Sequence, residues 1–278
     1  MVIMATCVEK LACPDCSSSD SLQTYLNVDE ALGMEWYTSF CHGECWENKG
    51  DPYSGNAPKV YVKSESEIRE EVEAGRACKL FKTNKPYRGI PSKFFQRWGV
   101  RLLLSEFDGK TPYALGFPMS DYGELVGWKC RKLLEKVDWG IGRTAGIDPF
   151  GLPRALKLSK DVIWFTEGEF DAIALEYAMN LAGKLNAYPV VSLTHGGGSI
   201  AKNFAYIEDR LENHQWVVLV LDDDKVGHLA EETAKQIWPD RVVVVSKPKG
   251  CKDANDAVKA GLAIEMGKLA LNFRDNIK

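Results

Sequence analysis

Three acidic clusters and two close pairs of cysteines are the residues of this sequence best equipped for chemistry. Glu167-Gly168-Glu169-Phe170-Asp171, Asp222-Asp223-Asp224 and Lys252-Asp253-Ala254-Asn255-Asp256 each come after a short apolar run. Carboxylates gathered in one place repel one another unless cations neutralise them. Magnesium takes hard oxygen ligands, usually a few carboxylates with water and substrate phosphate, and such sites also accept manganese. Two such ions stabilise the attacking and leaving oxygens of an in-line phosphoryl displacement. Taken singly, each cluster also reads as capping, with Asp253 before a helix starting at Ala254 and Asp222 at a turn after a strand.

The cysteines point to a second ion. Cys13-Pro14-Asp15-Cys16 lets two thiolates from one turn grip the same metal, and after 24 residues Phe40-Cys41-His42-Gly43-Glu44-Cys45 supplies a second pair. Four soft ligands in a tetrahedron suit zinc, and a closed shell makes the ion structural. The set is Cys13, Cys16, Cys41 and Cys45, with His42 as the alternative to Cys41 because the second spacing is three rather than two. No secretion signal precedes them, and close pairs in such a chain read as ligands rather than disulfides.

The elements that must position these groups are legible to different degrees. Val162–Phe165, Pro189–Leu193, Trp216–Leu221 and Arg241–Val245 read as buried strands, alternating with helices over Phe170–Met179 and His228–Ile237. That alternation predicts a mainly parallel, doubly wound α/β sheet, whose strand ends form the ligand crevice. Upstream, periodicity is weaker: a helix from Ser64 to Glu73 and strands near Tyr113–Pro118 and Leu125–Cys130. The chain divides into a small β zinc ribbon over 1–50, a turn-rich linker over 51–62, a basic α+β subdomain over 63–158, the parallel-sheet domain over 159–260 and a helical tail or linker over 261–278.

Composition sets the outer limits. The 278 residues are 45% hydrophobic and 27% charged, which excludes a disordered or collagen-like chain. No apolar run reaches the roughly 18 residues that a membrane helix needs, so a cytoplasmic, membrane-free location is expected. Net charge is −4, yet Arg76–Arg143 holds 14 Lys and Arg against 6 Asp and Glu, a local +8. Such asymmetry suggests an anionic partner at one place. Within that stretch, Lys129 and Arg131 are two apart and share one face of a strand. Arg88, Lys93, Phe94, Phe95, Arg97 and Trp98 mix cations with aromatics, as single-strand binding surfaces do, or else form a small core. Trp36 and Trp46 in the ribbon suit stacking on bases or packing around the ion. His195-Gly196-Gly197-Gly198 is either a loop that lets backbone approach a nucleotide or a plain strand-to-helix connection.

Thr166-Glu167-Gly168-Glu169-Phe170-Asp171 and Leu221-Asp222-Asp223-Asp224-Lys225-Val226-Gly227 resemble the EGxxD and DxD motifs of the TOPRIM fold. With Val190–Gly196 between them, Cys251–Asp256 after them and the CPDC ribbon ahead, the whole is similar to the primase half of bacteriophage primase-helicases. The likeness covers most of the chain and is loosest between about 60 and 125.

The resemblance implies synthesis of short RNA primers from ribonucleoside triphosphates on a single-stranded DNA template. It implies that Glu167 is a metal ligand or general base, and that Asp171, Asp222, Asp224 and Asp253 complete the metal cluster. Trp128–Lys136 matches the family's basic motif, so Lys129, Arg131, Lys132 and Lys136 would meet nucleotide phosphates and template. Leu133-Leu134 looks inserted, and Arg143 is the alternative to Lys136. His195 joins the nucleotide-binding set. The ribbon would help select the priming site. No GxxxxGK[ST] loop is present, so a replicative helicase would be a separate partner or part of a truncated fusion, with a DNA polymerase receiving the primer. The rival readings are a TOPRIM nuclease, which would direct water at a phosphodiester, and a non-catalytic template-binding module.

Overall fold

The computed structural model describes residues 3–11, 22–29, 34–41, 64–105 and 108–277. The chain divides into two units, residues 1–63 and 64–278.

The first unit contains an antiparallel sheet of β1 (Ile3–Leu11), β2 (Leu22–Asp29) and β3 (Met34–Cys41), in that order. Cross-strand pairs hold it: Thr24 and Ser39 hydroxyls share a hydrogen bond at 2.9 Å, and Asn27 Nδ2 donates to Thr38 Oγ1 at 3.0 Å. Tyr25 stacks on Phe40 with ring centroids 5.3 Å apart. Among the described side chains of this sheet, Thr24, Asn27, Ser39 and Cys41 are buried. Of the expected zinc ligands, Cys41 ends β3 and is buried. Cys13, Cys16, His42 and Cys45 lie outside the described residues, as does Trp46.

In the second unit, Ser64 and Glu67 form a reciprocal capping box that starts α1 (Glu65–Ala77). After α2 (Ser92–Arg97) come β4 (Arg101–Leu104), β5 (Pro112–Asp121), β6 (Glu124–Lys132) and β7 (Asp138–Gly142), an antiparallel sheet in chain order. The rest is α3 (Leu152–Leu158), β8 (Val162–Thr166), α4 (Glu169–Ala182), β9 (Val190–Ser192), α5 (Ile200–Ile207), β10 (Trp216–Val220), α6 (Lys225–Ile237), β11 (Val242–Val244), α7 (Ala254–Lys259) and α8 (Ala263–Leu271). The strands β11-β10-β8-β9 form a parallel sheet in that spatial order.

The period of two along these strands decides what packs where. Trp164, Val190, Val218, Val220 and Val243 join one apolar cluster with α4, α7 and α8. Ile163, Phe165, Val191, Val217 and Leu219 join a second cluster with α3, α5 and α6. Both faces are covered, which is why the strands read as unbroken apolar runs. Residues beyond 260 belong to this packing: Met266, Ala270 and Phe273 are buried in the first cluster, and Trp164 Nε1 donates to Ala270 O at 3.1 Å.

The first cluster also takes in Leu115, Phe117 and Met119 of β5, together with Phe94, Phe95 and Trp98. Phe95 and Phe117 meet the Phe170 ring of α4 edge-on, with centroids 6.2 and 5.1 Å away. Of the two roles open to Phe94, Phe95 and Trp98, the structure supports the core and not the base-stacking surface: all three are at most 5% exposed. The paired backbone bonds between Phe150 and Ser192, both 3.0 Å, tie the segment before α3 to β9. Among the described residues, no helix is long and apolar enough to cross a membrane.

Candidate active site

The chain leaves β8 and β10, which lie side by side, in opposite directions: from β8 through α4 to β9, and from β10 through α6 to β11. A crevice opens at the carboxyl ends of strands whose connections diverge in this way. Glu167 comes directly after β8, Asp171 lies in the first turn of α4, Asp222 follows β10, and Asp253 is the N-cap of α7.

Carboxylate oxygens of Asp171, Asp222 and Asp253 lie within 4.8 Å of one another. The capping expected of Asp253 is present too, since Oδ1 accepts from Asp256 N at 2.6 Å. Capping and clustering are compatible because a carboxylate has two oxygens. Burial, followed by the charges of Asp253 and Asp222, pushes the Asp171 carboxyl well above the usual range. Burial also raises Asp222, against the opposing effect of Lys252.

Glu167 completes the acidic wall. Burial raises its carboxyl, and Asp222 and Asp224 add to the effect. Its Oε2 is buried with no hydrogen-bond partner among the described residues. An orphaned buried carboxylate oxygen calls for a cation or a proton. The donor set is thus all hard carboxylate oxygen, with Glu167 Oε2 unsatisfied among the described residues. That chemistry fits magnesium or manganese and not a thiophilic ion.

The glycine loop belongs to this wall. Gly196 has φ 76°, which glycine adopts without penalty. A Cβ on Gly197 would sit 3.2 Å from Glu167 Oε2. The loop therefore makes a close approach to Glu167. His195, at φ 60°, has Nε2 3.0 Å from Thr144 O.

Asp224 is held differently. Its Oδ1 caps α6, accepting from Val226 N and Gly227 N at 3.0 Å each. The Gly227 N–H is the chief reason its carboxyl sits below the usual range. Lys252 Nζ bridges Asp224 Oδ2 at 2.9 Å and Asp222 Oδ2 at 3.0 Å. Hydrogen bonds to both carboxylates raise the Lys252 ammonium above its ordinary value.

Residues 164–258, which include Glu167, Asp171, Asp222, Asp224 and Asp253, match the family described as Toprim-like. A "DNA helicase/primase" of Enterobacteria phage T3 is 36% identical over 92 residues, which is 33% of this chain and 15% of that protein. The chain thus matches only a small part of that curated relative. The primase fragment of the bacteriophage T7 primase-helicase protein has a similar fold, with TM-score 0.58 and 24% identity over 95% of this chain and 99% of that one. A chain from the structure of bacteriophage T7 lagging-strand DNA polymerase interacting with primase domains bound to an RNA/DNA hybrid and dTTP aligns with TM-score 0.55. There the identity is 28% over 66% of this chain and 88% of that one.

The basic strand β6 meets the first turn of α4. Lys129 Nζ pairs with Glu169 Oε1 at 2.8 Å. Burial alone would lower this ammonium, but the Glu169 charge prevails and raises it. Arg131 lies 5.9 Å from the centroid of the Phe170 ring and pairs with Asp138 at 3.3 Å. Arg88 lies over the same ring at 4.3 Å. The other cations expected here have different neighbours. Lys132 pairs with Glu135 at 2.9 Å, Lys136 is exposed in the turn between β6 and β7, and Arg143 pairs with Asp121.

Two contributors escaped the sequence reading. The backbone N–H of Asn255 donates to Asp171 Oδ1 at 3.1 Å, and Asn255 Nδ2 donates to Arg88 O, also at 3.1 Å. Lys252 is the other. Lys252 precedes Asp253 directly and Asn255 precedes Asp256 directly, and that adjacency to acidic residues is the signal the sequence offers for them.

Proposed function

We propose that the chain is a DNA primase, which makes short RNA primers on single-stranded DNA from ribonucleoside triphosphates. The observation that carries this reading is the convergence of Asp171, Asp222 and Asp253 within 4.8 Å, at the foot of the helix whose first turn meets Lys129. The T3 relative named as a helicase/primase and the T7 chain seen with an RNA/DNA hybrid and dTTP support the choice of reaction.

In this reading the 3′-hydroxyl of the growing primer attacks the α-phosphate of the incoming nucleotide, and pyrophosphate leaves. Asp171, Asp222, Asp224 and Asp253 would hold magnesium, or manganese in its place. Such ions when bound lower the cost of negative charge on the attacking and leaving oxygens. Glu167, its carboxyl raised by burial, is placed to ligate or to take the hydroxyl proton. Lys129 and Arg131, with Lys132 and either Lys136 or Arg143, offset the triphosphate and template charge. His195 borders the nucleotide through its glycine loop. Cys13, Cys16, Cys45 and either Cys41 or His42 hold structural zinc in the first unit, which selects the priming site. A replicative helicase and a DNA polymerase are the partners before and after synthesis.

The test uses the protein, a randomised single-stranded template, labelled ribonucleotides and magnesium. Short oligoribonucleotides are expected, and none from Glu167→Gln. Loss of labelled DNA without added nucleotides would instead support a nuclease.

A further inference from the structure

Lys252 stands where a cation is needed and has no role in the reaction set out above. Five carboxylates line the crevice: Glu167, Asp171, Asp222, Asp224 and Asp253. Among the described residues, Lys252 is the cation in ion-pair contact with Asp222 and Asp224, at 3.0 and 2.9 Å. Asp224 has spent Oδ1 on the cap of α6, so Oδ2 is the oxygen it has left for an ion, and that oxygen is on Lys252.

We infer that Lys252 is a resident counter-ion, whose ammonium bridges Asp222 and Asp224 in the metal-free protein and leaves when a divalent ion takes those oxygens. The inference rests on the reading of this cluster as a metal centre. Magnesium binds carboxylate oxygen at about 2.0–2.1 Å, closer than the bridging ammonium stands. An ion in contact with both Oδ2 atoms excludes the ammonium from between them.

The exchange is mechanically simple. The Lys252 side chain is half exposed, so its stem reaches water by rotation alone. The backbone does not have to follow, because Lys252 O accepts from Asp223 N at 2.8 Å and holds the two loops together. Lys252 thus does two opposing things. It relieves carboxylate repulsion while the crevice is empty, and it competes with the ion that fills it.

Binding of Mn2+ alone to the full chain, followed by electron paramagnetic resonance of the free ion, tests this directly. Lys252→Met keeps the length of the side chain and removes the charge. It should bind Mn2+ roughly two- to fivefold more tightly than the unaltered protein, the range for losing one partly screened ion pair. Lys252→Arg, which keeps the charge, should stay near the unaltered affinity. In EDTA, Lys252→Met should melt at a lower temperature, and saturating Mn2+ should close the gap. Lys252→Gln serves the same purpose should the methionine variant lose its circular dichroism spectrum. Equal or weaker Mn2+ binding by the charge-removed variants would overturn the inference and leave the metal centre standing. Absence of Mn2+ binding by the unaltered protein would remove the metal centre itself, and the inference with it.

Discussion

The backbone N–H of Asn255 donates to Asp171 Oδ1 at 3.1 Å, joining positions 84 residues apart. It is a neutral donor to a carboxylate that burial and the charges of Asp253 and Asp222 push above its usual range. The hydrogen bond positions Asp171, but the repulsion remains.

Asp171→Asn keeps an acceptor for Asn255 and removes the charge. The Asp171 carboxyl is raised in the folded state, so the metal-free fold holds its proton better than the unfolded chain. That contribution is complete below the ordinary carboxylate value and is lost as pH rises through the raised one. In EDTA above pH 7, Asp171→Asn should therefore melt at a higher temperature than the unaltered protein and gain less from magnesium. Primer synthesis should fall by at least about a hundredfold, the upper end of what supporting groups around a metal cost.

Lys129 and Glu169 separate fold from function. Glu169 is buried, and Lys129→Met strands its carboxylate. The loss should be about 2 kcal/mol in urea unfolding, as for a buried charged hydrogen bond left unmade. The pair Lys129→Met with Glu169→Gln should recover most of that stability. Synthesis should stay low in the pair, with raised KM for nucleotide, if Lys129 meets the triphosphate.

Gly227 carries the turn that seats Asp222. A Cβ at this position would stand 2.1 Å from Asp222 O, far inside van der Waals contact. Alanine is the better helix former by about 1 kcal/mol, yet here the clash decides the sign. Gly227→Ala should reduce primer synthesis, and should lower the melting temperature more than Gly198→Ala, where nothing lies within 4 Å and φ is not positive. Comparable losses at both positions would contradict the packing argument.

His214 sets an acid limit away from the crevice. Its Nε2 is 3.1 Å from Ser159 O, and Nδ1 is buried without a partner among the described residues. Burial holds the ring below its ordinary value of 6.5. The unfolded chain therefore takes up the proton first. The stability that the neutral ring supplies is complete above pH 6.5 and is lost as pH falls through the lowered value. Melting temperature against pH should be shallower between 6.5 and 5 in His214→Gln than in the unaltered protein.

Local pattern accounts for much of the second unit. Apolar runs became β8, β9, β10 and β11, and the helix read from Phe170 to Met179 is the centre of α4. These features are legible because strand and helix periods involve only near neighbours. The acidic motifs could be placed at strand ends for the same reason, and the order of the strands then brings three of them to one crevice. Periodicity has no information about partners far along the chain. Phe94, Phe95 and Trp98 have the composition of a stacking surface, and only their burial among Phe117, Phe150 and Phe170 makes them core. The glycines after His195 look like a flexible connection until Glu167 is found against Gly197. Lys252 is one basic residue among many in the sequence, and the meeting of two loops decides that its ammonium lies between Asp222 and Asp224. Charge and spacing thus state which groups are present, while the crossovers of the sheet determine which of them share a solvent-poor crevice.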